Sequence, residues 1–134
     1  TVPSNASNNT KQDAKELATK IANALNYVGV MGVEFFVLKD GSLVVNEIAP
    51  RVHNSGHWTE AACAINQFEQ HIRAIAGMKL GDTANHSPCV MENLIGDDVN
   101  KLDALLSEPN THIHLYGKSK VKAGRKMGHF TKLL

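Results

Sequence analysis

The sequence predicts an α+β fold in which helices and antiparallel strands occupy separate stretches of the chain. Apolar residues recur at helical spacing over residues 11–27, and Thr10 is placed to cap that helix. Two alternating apolar runs follow, over residues 30–38 and 43–49, with Asp40-Gly41 between them. Because Asp-Gly between such runs is a strong hairpin signal, we expect a helix packed on a two-stranded antiparallel sheet.

The second half of the chain alternates between the same two kinds of element. Apolar spacing predicts a helix through residues 65–76 that ends at Gly77 in a left-handed conformation. The elements expected after it are, in order, a strand over 87–95, a helix capped by Asp97 or Asp98, a strand over 111–116 and a basic hairpin over 118–132. His112 and His114 lie on the same side of the predicted strand over 111–116, and we interpret that side as a plain exposed face.

The first hairpin is predicted to oppose two acidic side chains. If Asp40-Gly41 forms a two-residue turn, Glu34 pairs directly with Glu47. Leu38 then pairs with Leu43, whereas a three-residue turn would put the two carboxylates on opposite faces. Two carboxylates about 5 Å apart repel each other by about 3 kcal/mol at an effective dielectric constant of about 20. A shared proton, a basic side chain or a divalent cation must offset this repulsion.

A bound metal ion is the counter-charge that the sequence favours. No Lys or Arg lies within either strand, and carboxylate oxygens suit magnesium or calcium, so we predict a metal site at Glu34 and Glu47. The loop that follows holds five donor side chains within seven positions, namely Arg51, His53, Asn54, Ser55 and His57. Such donors beside a cation suit an oxyanion, although a polar connection whose histidines cap or pack is the alternative. Zinc is not expected, because no His or Cys cluster supplies four ligands.

The bulk composition fits one globular domain or a piece of a larger protein. Of the 134 residues, 43% are hydrophobic and 20% are charged, which excludes disordered and fibrous classes. No apolar run is long enough to span a bilayer and no signal peptide is evident, so we expect a cytoplasmic protein that does not bind a membrane. Cys63 and Cys89 are isolated, and we expect buried reduced thiols.

The charges are unevenly distributed along the chain. Residues 109–134 hold six basic residues and no acidic one, whereas residues 1–108 hold eight basic and thirteen acidic residues. This asymmetry predicts an anionic partner near the C-terminus. A nucleic-acid-binding module is one candidate, but the basic segment has few aromatic residues for stacking on bases. The acidic remainder would also repel a polyanion, so we expect no nucleic acid partner.

Four motifs carry a specific resemblance to a known family. They are Glu34, the string Asn-Glu-Ile-Ala-Pro-Arg-Val-His-Asn-Ser-Gly-His over residues 46–57, residues 67–71 and residues 116–129. Together they closely resemble the ATP-grasp enzymes of purine synthesis, and most of all the 5-(carboxyamino)imidazole ribonucleotide synthases, the ATPase subunits of phosphoribosylaminoimidazole carboxylase. The related formate-dependent transformylases typically have Asp-Thr-Gly where this chain has Asn-Ser-Gly at residues 54–56.

The resemblance implies a magnesium-dependent reaction with ATP. Bicarbonate is phosphorylated to carboxyphosphate, and its carboxyl group passes to the exocyclic amine of 5-aminoimidazole ribonucleotide, with release of ADP and phosphate. The residues that the resemblance assigns are Glu34 and Glu47 for magnesium, Asn46 and Glu47 for ATP, Arg51, His53, Asn54 and Ser55 for bicarbonate, and Lys118 and Arg125 for the nucleotide phosphate.

The resemblance also implies a particular domain organisation. Family members are much longer, so this chain looks like a C-terminal fragment. It would comprise the back part of an ATP-grasp domain over residues 1–76 and a small β-rich C-terminal domain over residues 77–134. We expect the fragment alone to lack turnover, and the complete enzyme to be a homodimer. The alternatives are the formate-dependent transformylase and a calcium-stabilised domain with no catalytic role.

Overall fold

The computed structural model describes residues 1–134 and confirms the α+β fold. Its elements, in chain order, are α1 (Asn8–Ala24), β1 (Gly32–Val37), β2 (Leu43–Ala49), a 3₁₀ turn (Asn54–Gly56), α2 (Thr59–Ala62), α3 (Gln67–Ile75), β3 (Cys89–Ile95), a second 3₁₀ segment (Gly96–Lys101), α4 (Leu102–Leu106), β4 (Thr111–Leu115) and β5 (Lys126–Leu133). Strands β1 and β2 form one antiparallel sheet. The other three form a second antiparallel sheet in the order β3-β5-β4.

Helix α1 begins three residues before its predicted start. Its N-cap is Ser7, whose hydroxyl accepts a hydrogen bond from the Thr10 N–H at 3.1 Å. The predicted cap at Thr10 is wrong, because Thr10 already lies in the first helical turn. The helix ends at Ala24, and Asn26, with a φ of 48°, redirects the chain toward β1.

The later helices also begin at other residues than predicted. Helix α3 is capped by Asn66, whose side chain accepts from two backbone amides at 3.0 Å, and it is shorter than the predicted helix over 65–76. Gly77 follows it with a φ of 65°, as predicted. Asp98 is not an N-cap but lies inside the 3₁₀ segment, where its carboxylate accepts from the Ile95 N–H at 3.1 Å.

The first hairpin turns through three residues rather than two. Leu38 donates its N–H to the Ser42 carbonyl at 2.9 Å, and the loop is the three residues between them. Gly41, the last of the three, has a φ of 86°, the left-handed conformation that such a loop requires. Leu43 therefore pairs with Val37, and the predicted pairing of Leu38 with Leu43 is wrong.

A β-bulge further along the hairpin restores the predicted pairing. The register steps from Phe35 opposite Val45 to Glu34 opposite Glu47, which leaves Asn46 as an extra residue on β2. The shift introduced by the longer turn and the shift introduced by the bulge cancel. Glu34 and Glu47 therefore lie opposite each other as predicted, although the predicted turn does not form.

Strand β5 occupies the centre of the second sheet, and the predicted basic hairpin over 118–132 is wrong. Residues 116–125 form the loop of a larger hairpin whose strands are β4 and β5. Lys118, Lys120 and Lys122 lie on this loop, so most of the basic segment projects from one end of the sheet. A side chain at Gly128 would collide with the His114 carbonyl, so a glycine is needed where β5 passes β4.

Burial is concentrated in the second sheet and in α2, which packs against β5. Twelve residues are buried, and the apolar ones are Ala49, Ala61, Ala62, Cys63, Cys89, Leu94 and Met127. Both cysteines are buried and free, as predicted. In contrast, large apolar side chains on β1 and β2 stay exposed, including Phe36 at 57% and Val44 at 47%. None of the helices has both the length and the apolar character needed to cross a membrane.

Replacing Gly41 with valine should lower the free energy of unfolding by about 1–2 kcal/mol, because a β-branched residue is strained at a φ of 86°. No neighbouring atom lies within 4 Å of the position that a Cβ would take, so the cost is conformational. Urea denaturation measures the loss. Gly41→Asn is the matched control and should lose less, because Asn tolerates the left-handed region. Equal losses in the two variants would contradict this turn geometry.

Candidate functional site

The carboxylates of Glu34 and Glu47 converge on the same imidazole ring. His53 Nε2 lies 3.3 Å from Glu47 Oε1, and His53 Nδ1 lies 3.7 Å from Glu34 Oε1. Asn46, the bulged residue, donates its side-chain amide to Glu34 Oε2 at 3.3 Å. A Cβ at Gly32 would lie 2.8 Å from the His53 Cβ, so the glycine in β1 is what lets His53 approach the strand.

Hydrogen bonds with Ser55 orient the His53 ring. The Ser55 backbone N–H donates to His53 Nδ1 at 3.3 Å, and the Ser55 hydroxyl lies 2.8 Å from the same nitrogen. Because an amide N–H only donates, Nδ1 is the acceptor in the contact with the Ser55 amide, and Nε2 faces Glu47. No Lys or Arg side chain pairs with either carboxylate. Their side chains are 39% and 50% exposed, so a cation can reach them from solvent.

The loop that carries these residues is held in place by one buried side chain, Gln67. Its Oε1 accepts from the His53 N–H at 3.0 Å, and its Nε2 donates to the His53 carbonyl at 2.9 Å. The same Nε2 lies 2.8 Å from His57 Nδ1. Gln67 is 6% exposed, and a side chain at Gly56 would collide with its amide. The sequence indicates Gln67 only as part of a family motif, because no local pattern shows that a helical Gln contacts a residue fourteen positions earlier.

Asn54 joins this loop to the second sheet. Its side chain exchanges two hydrogen bonds with Asn93 on β3, of 2.7 and 3.1 Å. Asn54 Oδ1 also accepts from Lys126 Nζ at 3.3 Å. These contacts are uncharged or singly charged, and they set the distance between the acidic hairpin and the basic side chains of the second sheet.

The hairpin, the loop and the second sheet enclose a cleft of about 540 Å³. Its lining residues are Glu47, Arg51, Val52, His53, Asn54, His57, Tyr116, Lys118 and Lys126. The structure thus brings together most of the predicted site residues. Ser55 lies behind His53, and Asn46 and Glu34 extend the site along the hairpin. Arg125 does not line the cleft, because its guanidinium donates to the Lys120 carbonyl at 3.3 Å.

The cleft also contains Lys126, Tyr116 and His57, for which the sequence predicts no individual role. Lys126 follows directly after Arg125 and begins β5. The alternation of polar Lys126 with apolar Met127 is the sequence pattern that could indicate a strand with Lys126 facing outward. Burial is the largest cause that raises the pKa of the Tyr116 phenol, which remains neutral and available for hydrogen bonding. The pKa of His57 is lowered, first by burial and then by the neighbouring histidines and Lys126.

Behind the cleft lies a stack of imidazole rings around His129. The His129 ring is 4.7 Å from His57 and 4.9 Å from His114, centroid to centroid, and both pairs are near parallel. Its Nδ1 lies 2.8 Å from the Tyr116 hydroxyl. Burial, followed by the charges of the two flanking histidines, lowers the pKa of His129 to about 4. The prediction of a plain exposed face is wrong for His114, which is half-buried against His129.

Comparisons with known proteins agree with this geometry. Residues 1–68 match the family model of the ATP-grasp domain, and residues 89–134 match that of the phosphoribosylaminoimidazole carboxylase C-terminal domain. The chain belongs to the ATP-grasp family. The resemblance stated from the motifs is therefore confirmed.

Individual ATP-grasp relatives are similar over nearly the whole chain. The N5-carboxyaminoimidazole ribonucleotide synthase of Brucella melitensis is 64% identical over 99% of this chain and 37% of its own length. The synthase of Bacillus subtilis is 48% identical over 97% of the chain and 34% of its own length. This chain thus spans about a third of the length of these relatives.

Solved structures of ATP-grasp relatives superpose closely. The Aspergillus clavatus synthase in complex with ATP has a TM-score of 0.93 at 42% identity, covering 99% of this chain and 37% of the other. The same fungal enzyme in complex with ADP and 5-aminoimidazole ribonucleotide has a TM-score of 0.91 at 42% identity, with coverages of 98% and 37%. The fold of this ATP-grasp chain is therefore that of the matching third of these enzymes.

Replacing Gln67 with alanine should lower the free energy of unfolding by on the order of 3 kcal/mol, because the His53 N–H and C=O both lose a buried partner. The His53 amide should also exchange with solvent faster, as hydrogen exchange measures. Gln70→Ala is the matched control, because Gln70 holds the backbone of Gly81 with the same two kinds of hydrogen bond. That control should destabilise the protein and leave His53 protected. Unchanged protection of His53 in Gln67→Ala would contradict the proposed anchoring.

The free energy of unfolding should fall by about 2 kcal/mol between pH 7 and pH 5 because of His129. The folded-state pKa is about 4, below the ordinary 6.5, so the unfolded chain takes up the proton first. The stabilisation is therefore complete above pH 6.5 and is lost as the pH falls toward 4. Urea denaturation in the presence of a chelator measures it. His129→Asn should have a flatter pH dependence, and a flat profile in the unsubstituted protein would refute the burial argument.

Proposed function

We propose that this chain supplies the metal- and oxyanion-binding part of an enzyme that carboxylates 5-aminoimidazole ribonucleotide with ATP and bicarbonate. The products would be the N-carboxyamino nucleotide, ADP and phosphate, in de novo purine biosynthesis. The observation that carries the proposal is the convergence of Glu34 and Glu47 on His53, at the edge of a cleft that Glu47 lines together with hydrogen-bond donors. The names of the relatives at 64% and 48% identity support the same activity.

Glu34 and Glu47 would hold magnesium, with Asn46 and Glu47 beside the ATP phosphates. The donor set fits, because two carboxylates and one amide supply hard oxygen ligands and no Lys or Arg side chain pairs with the carboxylates. A bound magnesium ion would neutralise negative charge on the ATP phosphates during phosphoryl transfer. The bulge serves this role by placing Asn46 on the same side as the two carboxylates.

Arg51, His53, Asn54 and Ser55 would bind bicarbonate and steady the carboxyphosphate. In that step a bicarbonate oxygen forms a bond to the γ-phosphorus of ATP, the bond from that phosphorus to the bridging oxygen breaks, and ADP leaves. The side chain of Arg51 makes one hydrogen bond, to the neighbouring Val52 carbonyl, so its remaining donors are available to an anion. Ser55 fixes the ring orientation that directs His53 Nε2 toward Glu47 at the cleft wall, and Asn54 positions Lys126.

Lys118 and Arg125 would bind the phosphate of the imidazole nucleotide. Lys118 lies in the cleft over the Tyr116 ring, at 5.6 Å from its centroid. Arg125 is on the same loop outside the cleft lining, and Lys126 within the lining offers a further cation. Small anionic substrates, and not nucleic acid or a membrane, would be the partners.

The proposal also covers the domain boundary, the oligomeric state and the cellular location. The two family matches leave residues 69–88 between them, which supports a boundary between residues 76 and 77. Homodimer formation and a cytoplasmic location remain part of the proposal. Because the chain spans about a third of its relatives, the complete reaction is proposed for the protein in which this segment acts with the remainder of the relatives' length.

A chimera tests the activity. This chain would replace the matching 37% of the Brucella melitensis synthase, to which it is 64% identical. The chimera should release ADP only when bicarbonate and 5-aminoimidazole ribonucleotide are both present. Glu47→Gln in the chimera should lower that rate by about 100-fold or more, because a charge that stabilises the reacting phosphate is lost.

Glu92→Gln is the control for that experiment, because Glu92 is exposed on β3 and does not line the cleft. It should retain the rate of the chimera. Manganese binding to the unfused chain, followed by paramagnetic relaxation, is a second measurement that needs no turnover, and Glu47→Gln should weaken it. Formate consumption in place of bicarbonate would favour the transformylase, and full activity of Glu47→Gln would favour a purely structural metal.

A further inference from the structure

A second group of potential metal ligands lies behind the cleft, where α2 meets β4 and β5. Glu60 on α2 faces two histidines that are direct cross-strand partners, His114 on β4 and His129 on β5. Glu60 Oε1 is 3.8 Å from His114 Nδ1, and Glu60 Oε2 is 3.8 Å from His129 Nε2. One ligand atom from each residue lies within 4.8 Å of the others. These three residues, here called the Glu60 cluster, have no part in the proposed carboxylation.

The central observation is that His129 Nε2 has no hydrogen-bond partner although the residue is 1% exposed. Its distance of 3.8 Å from Glu60 is too long for a hydrogen bond in either tautomer. The other ring nitrogen, Nδ1, lies 2.8 Å from the Tyr116 hydroxyl. When Nδ1–H donates to that oxygen, the Nε2 lone pair points toward Glu60. Buried polar atoms are almost always paired, so an orphan aimed at a carboxylate indicates an occupant between them.

We propose that Glu60, His114 and His129 bind a divalent transition metal ion, with zinc as the best-suited ion. Two imidazoles and one carboxylate form a three-ligand set that leaves a fourth position open. Zinc bonds of about 2.0–2.1 Å would place neighbouring ligand atoms about 3.3 Å apart. The two 3.8 Å distances therefore need to close by about half an ångström, and the remaining separation, which is up to 4.8 Å, by up to about 1.5 Å. The His114 side chain is 41% exposed and makes no hydrogen bond, so its ring is free to rotate out of the stack toward the ion.

The surroundings of the cluster fit a metal ligand better than an isolated buried histidine. A ligating imidazole usually has its second nitrogen bonded to a fixed group, and Tyr116 supplies that partner for His129. Imidazole nitrogens favour transition metals over magnesium, so this site and the Glu34–Glu47 pair would select different ions. Glu60 belongs to the segment that matches the ATP-grasp domain, and the two histidines belong to the segment that matches the C-terminal domain. A bound ion would therefore fasten the two together.

Zinc titration of this chain tests the proposal. The chain is first treated with a chelator and then dialysed against zinc chloride in excess magnesium chloride, and bound zinc is measured by elemental analysis. We expect one zinc ion per chain and a rise in Tm on zinc addition. Glu60→Gln and His114→Ala should each weaken zinc binding at least tenfold. Both positions are partly exposed, so these variants should fold, which circular dichroism checks.

Two controls separate this site from others. His112→Ala, on the same strand but exposed and outside the cluster, should bind zinc as the unsubstituted chain does. Glu47→Gln should also retain zinc binding, because that carboxylate belongs to the hairpin site. Absence of zinc binding at micromolar concentrations, unchanged affinity in both cluster variants, or loss of binding in Glu47→Gln alone would overturn the proposal. None of these results would affect manganese binding at the hairpin, so the proposed function is tested separately.

Discussion

The site depends on two carboxylates being held on the same face of a single hairpin. Glu34 and Glu47 are directly opposed, and the backbone hydrogen bonds of β1 and β2 keep them there against a repulsion of about 3 kcal/mol at 5 Å. The one ring between them, His53, accepts at Nδ1 from the Ser55 amide, and no Lys or Arg side chain pairs with either carboxylate. The protein therefore does not relieve the repulsion with a cation of its own. Such an arrangement is favourable only when solvent or a metal ion reaches the pair, and both side chains are partly exposed to allow this.

The hairpin also shows what a sequence can and cannot predict. Its existence and its acidic pair follow from local patterns, because Asp-Gly and the alternating apolar runs are short-range signals. The predicted two-residue turn is wrong, because the loop has three residues, and no local pattern predicts the bulge at Asn46. Each of these features shifts the register by one residue and so moves every side chain beyond it to the opposite face. The two shifts cancel, so Glu34 and Glu47 stay on the same face. The prediction that the two carboxylates share a face is therefore correct, although the local sequence pattern does not reveal the bulge that makes it so.

The remainder of the site divides in the same way between local and distant contacts. Arg51, His53 and Asn54 are neighbours in sequence, so the resemblance of one string was enough to predict them as a set. The contacts that orient them come from far along the chain: Asn93 reaches Asn54 over 39 residues, and Lys126 reaches it over 72. The place of β5 at the centre of its sheet was also missed, because its run of Lys, Gly and His lacks apolar alternation. Such pairings depend on tertiary packing and leave no periodic trace in one sequence.

The uneven charge distribution along the chain places acidic and basic side chains on different walls of the cleft. Glu47 of the acidic hairpin lies in one wall of the cleft, and Lys118 and Lys126 from the basic C-terminal segment lie in another. The two walls are held together by the amide pair of Asn54 and Asn93 and by stacked histidine rings, and not by ion pairs across the cleft. Had Lys118 or Lys126 paired with Glu47, each charge would have been cancelled by its neighbour. Neutral contacts set the distance between the two walls, so the charges of Glu47, Lys118 and Lys126 are not neutralised by one another. Their electric field can therefore orient a ligand such as an anionic phosphate with a bound metal ion.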